Sequence, residues 1–447
     1  MTRAAAPIHD PEALTTRLKA GWGLGSVGTQ IVLFSQSLLL LYFFTVILKL
    51  EPALAGSILF GAKLFDAALA PIVGSWSDRI DTRWGRRRPF LFIGAGLCAA
   101  GLVFIFNPPS AHPLVLLFGL MLISVGYSFF NIPYIAMPAE MTDSPAERTS
   151  IMSWRIAFVG LGTMVATSML PLLAKFWGGD RSAYGLMGAV AATLTLITMV
   201  AAFALTSGAR STTSMGEPFS IKAMVAAVAT NRPFAFLLAA KLLQLIGLAA
   251  TSASMLFFFK EVIGNGESML ALWGFVANGV CILSMLLWPR IGRRFGKVPV
   301  YCVSVAGYAL FGVSWLMVGP ESSTLAVLAR AAGSGVFIGG LLLMGQSLLP
   351  DTISVDHVRT GLRREGVFAG AYSFVEKASS ALGPMAVGFI FQIMGFATHG
   401  AAGGDPRAVY IAVGVLTPVA YLLSILPLLG LHRALNAHYR SVQDRHR

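Results

Sequence analysis

Long apolar runs alternate with short polar turns from about residue 20 to about residue 431. Twelve runs can be drawn, near 20–48, 53–77, 89–107, 113–137, 151–174, 184–207, 233–260, 269–289, 298–318, 324–349, 366–396 and 407–431. Each is near or above the roughly 20 residues a helix needs to cross a bilayer core about 30 Å thick. In lipid such segments must be helical, because no water is there to satisfy the backbone. The pattern predicts an all-α integral membrane protein with twelve transmembrane helices in two six-helix bundles.

The stretch Gly208–Arg232 interrupts the rhythm. It opens polar, at Ser211-Thr212-Thr213-Ser214, and then offers a short amphipathic run, FSIKAMVAAVA, over 219–229. This reads as a linker with a surface helix. It divides the chain into an N-terminal bundle (1–207), a linker (208–232) and a C-terminal bundle with its tail (233–447). The bundles repeat. Arg83-Trp84-Gly85-Arg86 follows the second span and Arg294-Phe295-Gly296-Lys297 follows the eighth. Both set a tight glycine turn among cations, as parallel repeats of secondary transporters do, with substrate sites expected between the repeats. Asp78, Arg79, Gly85, Arg86, Arg294 and Gly296 are the candidate gate motif.

Composition agrees: 56% of the 447 residues are hydrophobic and 12% are charged, against about a quarter charged in soluble chains. A net charge of +13 would suit a nucleic-acid partner, but its placement argues otherwise. Most of the Lys and Arg fall in the termini and in alternate loops on one side. Only Lys49, Lys175, Arg181, Lys260 and Arg407 fall in loops on the other. That asymmetry is the positive-inside rule, and it puts both termini in the cytoplasm. Cys98, Cys281 and Cys302 lie in apolar runs and read as small core residues, without disulfide or metal spacing.

Charges inside spans are costly and usually functional. Here they are Lys63, Asp66, Arg155, Lys241, Arg330, Glu376 and Lys377. Asp66 lies about a dozen residues before the polar turn at Asp78, hence about 18 Å deep. Lys377 lies about 15 Å along the eleventh span. A contact between them across the two bundles is geometrically open. Lys63 and Asp66, three residues apart, share a helix face and could pair. Asn131 precedes Ile132-Pro133-Tyr134, where the proline frees a carbonyl and can bend the helix. Asn131 and Arg155 lie at comparable depths, and Gln30 sits midway along the first span. Lys241 and Arg330 read as snorkelling or structural charges.

Three stretches resemble the glycoside–pentoside–hexuronide:cation symporters, the melibiose permease group of the major facilitator superfamily. LFDAALAPIVGSWSDRIDTRWGRRRPF resembles their second span and following loop. NIPYIAMPAEMTDSPAERTSIMSWR resembles their fourth and fifth spans. DTISVDHVRTGLRREGVFAGAYSFVEKASSALG resembles the eleventh span and the loop before it. The resemblance implies the major facilitator fold. It makes Asp66 the first of two helix-two carboxylates of the cation site, with Ser128 as a hydroxyl ligand. The second carboxylate falls at Ala70 and an amide ligand at Leu69, which disfavours sodium, since a hard cation needs several oxygens. In the implied sugar site Tyr127, Arg155 and Lys377 match in kind, with Ser373 in the same S-F-x-x-K run. Aspartates become Gln30 and Asn131, and a stacking tryptophan becomes Ile135.

The expectation is a secondary active transporter of the bacterial inner membrane. It would carry a small sugar, glycoside or uronide by alternating access, without a cofactor, as a monomer with no nucleic-acid partner. Gln30, Tyr127, Asn131, Arg155, Ser373 and Lys377 form its candidate substrate set. Lys63, Asp66, Ser128 and Glu376 form its candidate coupling set, with a proton as the ion. The alternatives are an uncoupled facilitator or exporter of an organic acid or amphiphile, and a membrane receptor or scaffold. No HExxH, paired catalytic carboxylates or GxSxG in a plausible setting supports an enzyme.

Overall fold

The computed structural model describes residues 14–445 except 81, 83, 84, 86, 143, 210–220, 265, 361–364 and 397–404. Its described elements are helices joined by turns. In order they are α1 (Thr16–Ile47), α2 (Pro52–Arg79), α3 (Arg88–Phe106), α4 (Pro113–Met141), α5 (Pro145–Met164, running on to Phe176), α6 (Arg181–Leu205) and the linker helix α7 (Ile221–Thr230). Then come α8 (Arg232–Val262), α9 (Gly266–Ser284), the short α10 (Trp288–Phe295), α11 (Lys297–Met317), α12 (Thr324–Thr360), α13 (Glu365–Ile393) and α14 (Arg407–Ala437, running on to Arg445). Among the described residues 11 of these are long and apolar enough to cross a membrane. The exception among the long helices is α13, 29 residues that carry Ser373, Glu376, Lys377, Ser379 and Ser380.

Helix starts follow local chemistry. Asp180 accepts from the Ala183 amide and Asn231 from the Phe234 amide, each satisfying an orphan donor of the first turn. Prolines stand in the first turn of α2, α3, α4, α5 and α8, where no amide is missed. Two predicted ends are corrected. The tenth run was expected to stop at 349, yet α12 continues through Pro350 to Thr360. Freed backbone groups within a helical bundle can be re-satisfied by neighbours, so proline does not force an end. The eighth run was expected to reach 289, yet α9 ends at Ser284 and the chain turns before α10, whose second residue is Pro289. The expected bend at Pro133 leaves α4 continuous.

The packing repeats as the turns do. Among the first six long helices α1 packs on α5 and α6, α3 on α4 and α6, and α2 on α4. In the last six, α8 packs on α13 and α14, α11 on α12 and α14, and α9 on α12. Gly85 and Gly296 both take positive φ, 90° and 87°, a region open to glycine at little cost. Between the sets α2 packs along α13, and α9 packs on α5. Gly56 and Gly388 let α2 and α13 meet backbone to backbone: a Cβ at Gly56 would stand 2.9 Å from Pro384 O, and one at Gly388 2.4 Å from Pro52 O.

The two faces differ. Leu14 donates its amide to Glu147, so the start of α1 and the start of α5 share one side, here the terminal side. On the opposite side the two sets are joined. Lys175 donates to Ser268 at 2.8 Å, Ser168 to Ala271 O at 2.9 Å, and Tyr42 to Glu261 at 3.4 Å. On the terminal side the ion pairs among the described residues stay within a set: Arg87–Glu140 at 2.6 Å, Lys297–Asp351 at 2.6 Å and Lys19–Glu147 at 2.8 Å.

Candidate functional site

Asp66 is 4% exposed, midway along α2. Its Oδ1 accepts from Ser128 Oγ of α4 at 2.7 Å and from Lys377 Nζ of α13 at 3.1 Å. Lys377 also donates to the Asp66 carbonyl at 3.3 Å. The structure therefore makes the contact that the two depths left open, between the first six helices and the last six. A buried carboxylate is tolerated when charge and hydrogen bonds both satisfy it, and here one ammonium and one hydroxyl do so. The within-helix pairing of Lys63 with Asp66 is not formed. Lys63 makes no hydrogen bond or ion pair among the described residues.

The remaining candidates present unused polar groups. Gln30, Asn131 and Arg155 are half-buried, Ser373 and Glu376 are exposed, and none makes a side-chain hydrogen bond among the described residues. Arg155 Nε is buried without a partner. Tyr127 lies within electrostatic reach of Asp66, Glu376 and Arg155. Glu376 is in reach of Lys241, Arg155 and Lys377, so it faces inward between the two sets.

The gate motif is partly described. Gly85 closes a turn in which its amide donates to Thr82 O at 2.8 Å, and Gly296 ends α10 by donating to Gly292 O at 3.0 Å. The Arg294 guanidinium lies 5.2 Å from the centre of the Phe295 ring. Arg86 and the side chains of Asp78 and Arg79 lie outside the described residues. The pairs Arg87–Glu140 and Lys297–Asp351, one beside each glycine turn, were not anticipated. A signal existed: Pro138-Ala139-Glu140 and Pro350-Asp351 stand as far apart in the chain as the two turns do.

Of the two readings left open for Lys241, snorkelling or structural, its burial fits the structural one. It is 4% exposed, with Nζ 5.3 Å from the Tyr301 ring centre and close against Gly345 of α12. Arg330 is structural as expected, donating to Ser314 O at 3.2 Å and Ala326 O at 2.9 Å. Cys98 and Cys281 are buried and Cys302 is half-buried, all as free thiols.

The model of the family described as MFS/sugar transport protein matches residues 21–435. The isoprimeverose transporter of Lactiplantibacillus pentosus is 25% identical over 95% of this chain and 91% of its own length. A protein of Salmonella typhimurium named as a candidate sulfoquinovose importer is 28% identical over 87% of this chain and 84% of its own. A solved bacterial homologue of the human drug peptide transporters PepT1 and PepT2 superposes with a TM-score of 0.67. It covers 95% of this chain and 99% of that one at 14% identity, a likeness of fold alone.

Proposed function

The chain belongs to the MFS/sugar transport protein family, and on that premise we propose that it moves a small acidic sugar, glycoside or uronide across the bacterial inner membrane by alternating access. It is a membrane transporter of the major facilitator fold, not an enzyme. In this reading residues 1–207 and 233–447 are the two moving bodies and the termini are cytoplasmic. One observation carries the proposal: Asp66, a buried carboxylate midway along α2, is held by an ammonium from the opposite body. Lys377 stands where a coupling cation would stand. Protonating Asp66 would neutralise the attraction and free the two bodies to separate. Sodium is disfavoured, because Leu69 and Ala70 supply no side-chain oxygen beside Asp66.

The unbonded Arg155 favours a planar acidic group, which a guanidinium binds through two parallel bonds. Gln30, Asn131 and Ser373 would hold hydroxyls. The relative named for sulfoquinovose, a sugar sulfonate, supports an anionic sugar. The test is uptake into proteoliposomes of a panel of glycosides, uronides and small organic acids under imposed pH or sodium gradients. Uptake of an acidic sugar driven by a pH gradient alone is expected. Accumulation driven by sodium at fixed pH in protonophore-treated vesicles would overturn the ion assignment. Uptake without accumulation would favour an uncoupled facilitator.

A further inference from the structure

On the side opposite the termini, one ammonium is enclosed by groups from both sets of helices. Lys260, in the last turn of α8, pairs with Glu267 at the start of α9 at 2.5 Å. Its Nζ lies 4.7 Å from the Tyr42 ring centre and 5.7 Å from that of Tyr184. Tyr42 lies five residues before the end of α1 and Tyr184 in the first turn of α6, so both rings belong to the first six long helices. Their exposures are 4% and 0%. The Tyr42 hydroxyl donates to Glu261, the residue after Lys260, at 3.4 Å. The turn before α6 closes over the group: a Cβ at Gly179 would lie 3.8 Å from Glu267 Oε1 and 3.9 Å from Lys260 Nζ.

We infer that Lys260 is the latch of the gate opposite the termini, an ammonium held by the faces of Tyr42 and Tyr184 when that gate is shut and withdrawn with Glu267 when it opens. The inference rests on alternating access but not on the nature of the solute. Only contacts present in one state bias an equilibrium between two. The Lys260–Glu267 pair lies within the last six helices and survives opening. The ring contacts and the Tyr42–Glu261 bond cross the gate and do not. The charge is thus never left alone in the protein interior, where an unpaired ion is expensive. The latch therefore opens without stranding a charge, and its strength is set by the quadrupoles of two rings.

Spin labels at Phe176→Cys and Leu325→Cys, both highly exposed and on opposite sides of this gate, would follow it by electron–electron distance measurement. Cys98, Cys281 and Cys302 would be replaced by alanine and the protein reconstituted in bilayers. Pentafluorophenylalanine at positions 42 and 184 keeps the ring shape and reverses its quadrupole. Against a Tyr42→Phe, Tyr184→Phe reference, each reversal is expected to raise the ratio of long to short distances on the order of tenfold. The pair Lys260→Met with Glu267→Gln, which removes the ammonium without stranding its counterion, is expected to shift the ratio the same way. Equal distance distributions in the fluorinated and reference proteins, or in the double variant and wild type, would overturn the latch. Distances that respond as expected support it even if no solute in the panel is transported, an outcome that would count only against the substrate reading.

Discussion

The two faces of the molecule use charge in different ways. On the terminal side, Arg87–Glu140, Lys297–Asp351 and Lys19–Glu147 each close one set of helices on itself. On the opposite side, Lys175–Ser268, Ser168–Ala271 and Tyr42–Glu261 tie one set to the other. Between the faces stands Asp66–Lys377, which also crosses. Bonds within a set persist while the sets move, so they preserve each body as a rigid unit. Bonds across are lost on one side and must be regained on the other, so they hold the equilibrium. The difference separates the residues expected to control stability from those expected to control transport.

The strongest test of that separation is at the midpoint. Asp66→Ala and Lys377→Ala are each expected to abolish uptake in proteoliposomes, since each strands a buried charge at a cost of about 3–5 kcal/mol. The double variant should be no worse than the worse single one, because neither charge is then unpaired. Near wild-type uptake by Asp66→Ala would remove it from the mechanism. A smaller effect is expected at Arg87–Glu140, whose side chains are 13% and 9% exposed. Glu140→Ala should lower thermal stability in detergent by about 1–3 kcal/mol, because it removes a charge-assisted hydrogen bond from a partly buried guanidinium. Asp351→Ala should cost under about 1 kcal/mol, since Lys297 is 43% exposed and well solvated. Equal losses at the two sites would break the account of burial.

The smallest effect concerns pH. Lys19 and the Leu14 amide hold the Glu147 carboxyl below its usual range. A carboxyl lowered by folding stabilises the fold above its unfolded pKa, and that contribution is lost as the pH falls through the folded value. Thermal unfolding followed by tryptophan fluorescence should therefore show a small loss for the wild type below about pH 4. In Glu147→Gln that component should be absent. An unchanged pH profile in the variant would remove the tether from the stability of this face.

Most of the helical plan was legible because the bilayer imposes a length and forbids unpaired backbone. The Asp66–Lys377 meeting was legible as two equal depths on different helices. What was misplaced or left open has physical causes. The tenth run was drawn to 349 from its apolarity, and the helix runs past that point to Thr360. Spacing within the second span left Lys63 open as a partner of Asp66, and the structure forms the other open contact, with Lys377. Lys241 was left as snorkelling or structural, because its burial against Tyr301 depends on a helix far away in the chain. Lys260 was counted only as a loop charge. Its partners, Tyr42 and Tyr184, read as ordinary apolar-run aromatics until the fold brings them together.

The modest apolarity of α13 has a consequence for biosynthesis. Each charged residue at the centre of an inserting helix opposes membrane integration by about 2.5–3.5 kcal/mol, and α13 carries Glu376 and Lys377 side by side. Left to itself, this segment enters lipid poorly. By the time it leaves the ribosome, however, α2 has long been synthesised, with Asp66 ready to receive Lys377. The segment then partitions onto an existing protein surface rather than into bare lipid. A chain lacking Asp66 is therefore expected to integrate its eleventh long helix more slowly.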